Sequence, residues 1–181
     1  MYNKESALTI KAPTLAFLSL RSLLSQLFLI VAAAALPAIM HLTGAPVRFL
    51  LPMHWPVILA GLVFGWRGGA AVGFLSPFAS YLVSGMPLPG ILPAMTIELT
   101  AYGLVAGLLR EKFCLKAFWS AAIAILAGRF VFILTVLLFV NTAFGFSEYF
   151  QAAMIPGIPA AIVQIIALPF IAKWWVNSAQ H

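Results

Sequence analysis

The sequence predicts an all-α integral membrane protein, a bundle of six transmembrane helices with both termini in the cytoplasm. Hydrophobic residues make up 64% of the 181 residues, charged residues only 8%, and the mean hydropathy is +1.08. A water-soluble domain would carry roughly a quarter charged residues. Several apolar runs approach the length of about 20 residues that a helix needs to cross a bilayer. We therefore expect one membrane domain over residues 1–181.

The predicted spans follow one another with short connections. Residues 1–20 form a tail or interfacial segment, 43–52 an outer loop or lid, and 110–117 a basic inner loop. The six spans, in chain order, are Leu23–Leu42, Met53–Gly65, Gly69–Ser84, Ile91–Leu109, Ala117–Val140 and Ala152–Ala172.

The second and third spans are the most irregular part of the chain. The second rises only about 20 Å as a helix, against a bilayer core of about 30 Å. Pro52 and Pro56 would break its outer half, and Trp66, Arg67 and Gly68 make a tight turn into the third span. Interrupted helix is tolerated in lipid only against protein or a water-filled cavity. We expect this pair of spans to bend around a small solute.

Loop charges give the predicted orientation. Six spans place both termini on one side of the membrane. Only Arg48 among the loop cations lies on the other side. Because lysine and arginine are enriched in cytoplasmic loops, the side with the termini is assigned to the cytoplasm of a plasma membrane. The net charge of +6 does not indicate nucleic acid, because the basic residues flank apolar runs and form no basic face. The cations on the inner side are Lys4, Lys11, Arg21, Arg67, Arg110, Lys112, Lys116 and Lys173.

Two charged residues fall inside predicted spans. Glu98 lies on the order of 10 Å below the outer end of its helix, where an unpaired carboxylate costs a few kcal/mol. Arg129 lies deeper, and its long side chain can rise to meet Glu98. One interpretation is a structural ion pair or a buried protonated acid, and the other is a ligand contact in an outward-facing cavity. Both interpretations can hold together.

Other polar residues are weaker candidates for ligand contacts. They are His54 at the start of the second span, Tyr81 on the third, Tyr102 beside Glu98, and Asn141 after the fifth. Each taken alone more often joins helices than binds a ligand. No metal site is expected, since the three histidines and one cysteine form no ligand motif.

Catalysis is not indicated by the sequence. Acid–base chemistry needs partners within hydrogen-bond reach, and Glu98 is the only carboxylate inside a span. No nucleophile motif and no phosphate-binding P-loop is present, so a pump would need a separate ATPase. We expect no enzyme activity and no cofactor. Ala34 and Ala38 form a small-xxx-small strip for a neighbouring helix, in this bundle or in a partner.

The sequence resembles the substrate-binding S components of energy-coupling factor (ECF) vitamin transporters over nearly its whole length. The motifs that carry the resemblance are PMHWP at 52–56, AGLVFG at 60–65, Gly69, Gly73, Ser76-Pro77 and ELTAYG at 98–103.

The resemblance implies a bundle that binds a vitamin or a vitamin precursor near the outer face, with the first loop as a lid. It implies a transmembrane coupling protein plus two ATPases as partners, with Ala34 and Ala38 as a docking strip. We expect the pocket between the Thr43–Phe49 loop and the outer halves of the last three helices, holding a neutral or zwitterionic heteroaromatic compound. A rival function is a non-transporting scaffold of the cell envelope, with Glu98 and Arg129 paired in a filled core.

Overall fold

The computed structural model describes residues 14–139, 151 and 154–179, and every regular element in these ranges is helical. A 3-10 turn, Ile155–Gly157, precedes the last helix. The helices are α1 (Leu20–Thr43), α2 (Val47–Leu50), α3 (His54–Ser84), α4 (Leu92–Glu111), α5 (Ala117–Phe139) and α6 (Ile158–Ala179).

Five helical segments of the described chain have the length and apolar composition to cross a membrane. The predicted all-α membrane fold is therefore confirmed, whereas the six spans and the orientation of the termini stay predictions. The five segments are Leu20–Thr43, Val47–Ser84, Leu92–Glu111, Ala117–Leu138 and Ile155–Ala179.

The second of these segments reverses direction at Gly65. This glycine has φ 74° and ψ −170°, a conformation that side chains disfavour. A Cβ built on Gly69 would lie 2.7 Å from the Cα of Gly61. In a straight helix, residues eight positions apart are separated by about 12 Å along the axis. Residues 54–64 and 66–84 are thus two antiparallel arms, which correspond to the predicted second and third spans. The first arm rises only about 16 Å, too little for a full span.

Both arms contact α4 through backbone atoms at glycines. A Cβ on Gly69 would collide with the carbonyl oxygen of Gly103, and a Cβ on Gly107 would collide with the backbone of Gly65 and Trp66. Small residues allow helices in membranes to approach this closely. The pair α3 and α4 accordingly forms the most extensive helix contact in the described structure.

The polar backbone groups at the reversal have partners from other parts of the chain. A carboxylate oxygen of Glu111 accepts a hydrogen bond from the backbone N–H of Trp66 at 3.2 Å, which places negative charge at the start of the second arm, where a helix favours it. The N–H of Leu15 donates to the carbonyl oxygen of Val63 at 2.7 Å. The ends of α4 and of the segment before α1 therefore fix the turn.

The bundle has two chemically different ends. The Gly65 end carries the reversal, the Phe64–Trp175 ring contact and the loop Lys112–Lys116, in which Cys114 is exposed. The α2 end carries α2, the connection between α3 and α4, and Gly157. Arg48 belongs to the α2 end.

Replacement of Gly69 by alanine should destabilise the protein. Although alanine favours helix by about 1 kcal/mol over glycine, its Cβ would collide with backbone at Gly61 and Gly103. We expect a loss of about 1–3 kcal/mol in the free energy of unfolding, measured by thermal denaturation in detergent. Gly90→Ala is the matched control, since no atom lies within 4 Å of its added Cβ. Equal stability of the two variants would contradict the glycine contact.

Candidate functional site

Glu98 is the centre of a buried polar cluster between α3, α4 and α5. It is 2% exposed, and its Oε1 lies 3.1 Å from a guanidinium nitrogen of Arg129. The hydroxyl of Tyr102, one turn later on α4, donates to the same oxygen at 2.8 Å. The Nε2 of His54 lies 3.6 Å from it. The structure thus brings together four of the six predicted ligand contacts.

The cluster neutralises a charge that is unfavourable at this depth. A lone carboxylate within a bilayer costs a few kcal/mol, and pairing with a cation plus a hydrogen bond from a hydroxyl offsets much of that cost. Removing one partner of a buried pair leaves the other uncompensated. Glu98 and Arg129 therefore depend on each other in the folded state.

His54 has unused hydrogen-bonding capacity. It is 5% exposed, its ring lies 5.0 Å from the Tyr102 ring, and neither ring nitrogen has a hydrogen-bond partner among the described residues. The hydroxyl of Ser80, on the second arm of α3, is also buried without a partner there. Buried polar groups normally have partners, so both groups can accept or donate to a bound molecule.

A cavity of about 400 Å³ lies beside His54 and Ser80 at the α2 end. Its volume is within the range of about 300–1,000 Å³ typical of small-molecule sites. The lining is mainly apolar, and exposed lining residues such as His41, Arg48 and Leu88 place it at the protein surface. The lining residues are Pro37, His41, Val47, Arg48, Leu51, Pro52, Met53, His54, Ser80, Met86, Pro87, Leu88, Ile91 and Met95.

This cavity differs from the expected pocket. The loop between α1 and α3 contributes Val47, Arg48, Leu51, Pro52 and Met53, and α4 contributes as well, both in line with the expected pocket. The other walls come from α1, α3 and the connection between α3 and α4, which were not expected. No described residue of α5 or α6 lines it. Of the last three helices, only α4 therefore lines this cavity, because the hairpin of α3 brings both its arms to the α2 end; a pocket against the other two stays a prediction.

The predicted contact residues occupy different positions relative to the cavity. His54 lines it, whereas Glu98, Tyr102 and Arg129 lie behind His54 and do not line it. Tyr81 is 37% exposed and lies next to the lining residue Ser80 without lining the cavity itself. Asn141 lies outside the described residues.

Arg48 and the methionines at the cavity were not predicted as contacts. The signal that could have identified Arg48 is its isolation as the one outer-side loop cation of the predicted topology. Met53, Met86 and Met95 carried no such signal, since apolar residues fill most of every span. Among the described residues, no group of three or more His, Cys, Asp or Glu is arranged to hold a metal ion.

Arg129 also links the cluster to the α2 end. Its second terminal nitrogen has no hydrogen-bond partner among the described residues, and a Cβ on Gly157 would lie 2.9 Å from it and 3.0 Å from a methyl carbon of Leu51. The buried amide of Gln164 donates to the Leu51 carbonyl oxygen over 3.5 Å, a long hydrogen bond. The segment after α2 is therefore held by α6 and by the turn before it.

The predicted docking strip on α1 is partly occupied by the chain itself. Ala34 is 4% exposed and packs inside the bundle, and Ala38 is half-buried. This placement favours the alternative use of the strip for packing within the bundle.

The fold and the cavity define a multi-pass membrane protein with a ligand-sized space at one end. The family model described as "ECF transporter, substrate-specific component" matches residues 17–174, and the chain belongs to this family. Its members are binding subunits of transporters rather than enzymes. They bind small ligands and work with a membrane coupling protein and ATPases. No curated protein and no solved structure matches the chain.

A double-mutant cycle on Glu98 and Arg129 should show strong coupling. Arg129→Leu leaves the carboxylate uncompensated and should lower the free energy of unfolding by about 3–5 kcal/mol. Adding Glu98→Gln to that variant removes the buried charge and should recover part of the loss, with a coupling of about 0.5–3 kcal/mol. Thermal denaturation in detergent measures all three variants, and the exposed Arg67→Leu serves as the control. Additive effects would contradict the pairing.

Proposed function

We propose that this protein is the high-affinity substrate-binding subunit of an uptake system for a vitamin or a vitamin precursor. It works in the plasma membrane with a separate transmembrane coupling protein and two ATPase subunits, which supply the energy. The ligand enters from the α2 end, which faces outward when the loop Lys112–Lys116 faces the cytoplasm. The loop 43–52 then acts as the lid.

The cavity beside His54 is the observation that carries this proposal. It combines an apolar lining with two buried polar groups, on His54 and Ser80, that have no hydrogen-bond partner among the described residues. Apolar walls with a few fixed polar groups are the usual composition of a small-molecule site. Membership of the substrate-specific ECF family supports a transported ligand as the occupant.

The polar cluster holds the ligand-binding group in place. Glu98 and Tyr102 lie against His54 and fix the position of its ring, while Arg129 neutralises Glu98. His54 then accepts from, or donates to, a heteroatom of the ligand. Glu98 and Arg129 thus contribute to binding through His54, and Tyr81 and Asn141 are at most peripheral contacts.

The rival function, a non-transporting scaffold, predicted that Glu98 and Arg129 are paired and dry. They are paired and Glu98 is buried. The scaffold also predicted a filled core on the outer side, however, and the cavity lies next to His54. The cavity and the family membership together favour transport.

Glu98→Gln should weaken ligand binding at least tenfold, about 1.4 kcal/mol, because His54 and Arg129 lose the charge that positions them. The measurement is the amount of bound compound extracted from detergent-purified protein, identified by mass spectrometry. Glu111→Gln is the matched control, a carboxylate at the Gly65 end. His54→Asn tests the same site if Glu98→Gln does not fold. Tight binding by a folded Glu98→Gln protein would refute this assignment.

Filling the cavity should also remove the ligand. Ser80→Phe adds a ring where the small side chain lines the cavity, whereas Val83→Phe adds the same ring to a residue of the same arm that is 69% exposed. We expect the extracted compound to fall at least tenfold only in the Ser80 variant. Size-exclusion chromatography checks that both variants fold. Unchanged occupancy in folded Ser80→Phe would place the ligand elsewhere.

A further inference from the structure

The described lining of the cavity carries a positive charge without an opposite one. Arg48 is the only lysine or arginine among its lining residues, and no aspartate or glutamate is among the described ones. Among the described carboxylates, Glu98 lies behind the lining residue His54, and it is already neutralised by Arg129. His41 and His54 add two imidazoles on the same side as Arg48. A cationic ligand would find no opposite charge among these described lining residues.

Arg48 has no structural explanation in the described part of the chain. Its side chain is exposed and forms no ion pair with a described residue. The tendency of membrane proteins to keep lysine and arginine in cytoplasmic loops also disfavours it at the α2 end. A cation that contributes neither to an ion pair nor to the orientation of the chain, and that lines a cavity, indicates a ligand of opposite charge.

The remaining lining defines the other half of the ligand. Most of it is aliphatic, thioether or proline surface, including Leu51, Met53, Ile91 and Met95. Thioether side chains adapt to irregular apolar shapes. The ligand therefore needs an apolar body for the interior of the cavity and a charged group for the exposed Arg48.

From this arrangement we infer that the transported compound is a carboxylate with an apolar body, which binds with its carboxylate on Arg48 and its body against the methionines. The inference rests on the proposed function and names its substrate class. A guanidinium forms a bidentate pair with a carboxylate. One arginine balances one such charge, whereas a phosphate monoester carries about −1.5 to −2 and would stay partly uncompensated. This inference differs from the sequence analysis, which expected a neutral or zwitterionic ligand.

The test compares acids with neutral amides that share the same body. Detergent-purified protein is titrated with nicotinate and nicotinamide, biotin and biotinamide, and lipoate and lipoamide, and the dissociation constants are measured by calorimetry. We expect an acid to bind at least tenfold more tightly than its amide. Arg48→Gln should abolish that preference and Arg48→Lys should keep part of it. Arg67→Gln, at the Gly65 end, is the control and should change nothing.

The outcomes separate this inference from the proposed function. An amide that binds as tightly as its acid overturns the inference and leaves a transport subunit for a neutral compound. An unchanged acid affinity in Arg48→Gln also overturns it, because the carboxylate then does not bind to Arg48, and the proposed transport function stands. If none of these acids and amides binds, the test is the identity of the compound extracted from the wild-type protein. An extracted carboxylate supports the inference, and an extracted neutral or cationic compound overturns it. Absence of both binding and any extracted compound counts against both proposals.

Discussion

Backbone contact at glycines is the constraint on which the rest of this structure depends. Helices in a bilayer gain little from hydrophobic association, so they are held by close packing. Gly69 and Gly103 allow the second arm of α3 to touch α4. Gly107 of α4 allows the backbone at the Gly65 reversal to come equally close. This contact fixes the direction of the first arm, which carries His54 to the α2 end, opposite Glu98. Both the polar cluster and the cavity follow from it.

The cluster and the cavity divide the chemistry between them. The full charges of Glu98 and Arg129 cancel each other inside the bundle, so the cavity can be apolar without exposing an ion to lipid. Only His54 belongs to both the cluster and the cavity lining. Such an arrangement lets one imidazole present a fixed polar group in otherwise apolar surroundings, which favours specificity since a poorly matched ligand would leave it unpaired.

Much of the fold was predictable from the sequence, because hydropathy gives apolar runs directly. The predicted turn at 66–68 lies one residue from the observed reversal at Gly65, and glycine content was the signal. The last span was predicted to end at Ala172, but α6 continues to Ala179, since the exposed Lys173 can extend away from the apolar face. The first loop and α4 were predicted as walls of the pocket. The contributions of α1 and of both arms of α3 were not, because they depend on which helices are neighbours, and no local pattern encodes that.

The single cysteine has a practical consequence. Cys114 is exposed in the loop between α4 and α5, at the Gly65 end and therefore remote from the cavity. The native chain already offers one thiol for site-specific attachment of a fluorophore or a spin label, without any engineered cysteine. Whether a membrane-impermeant maleimide labels Cys114 in intact cells shows which side of the membrane the Gly65 end faces. The cavity is not modified by this reaction.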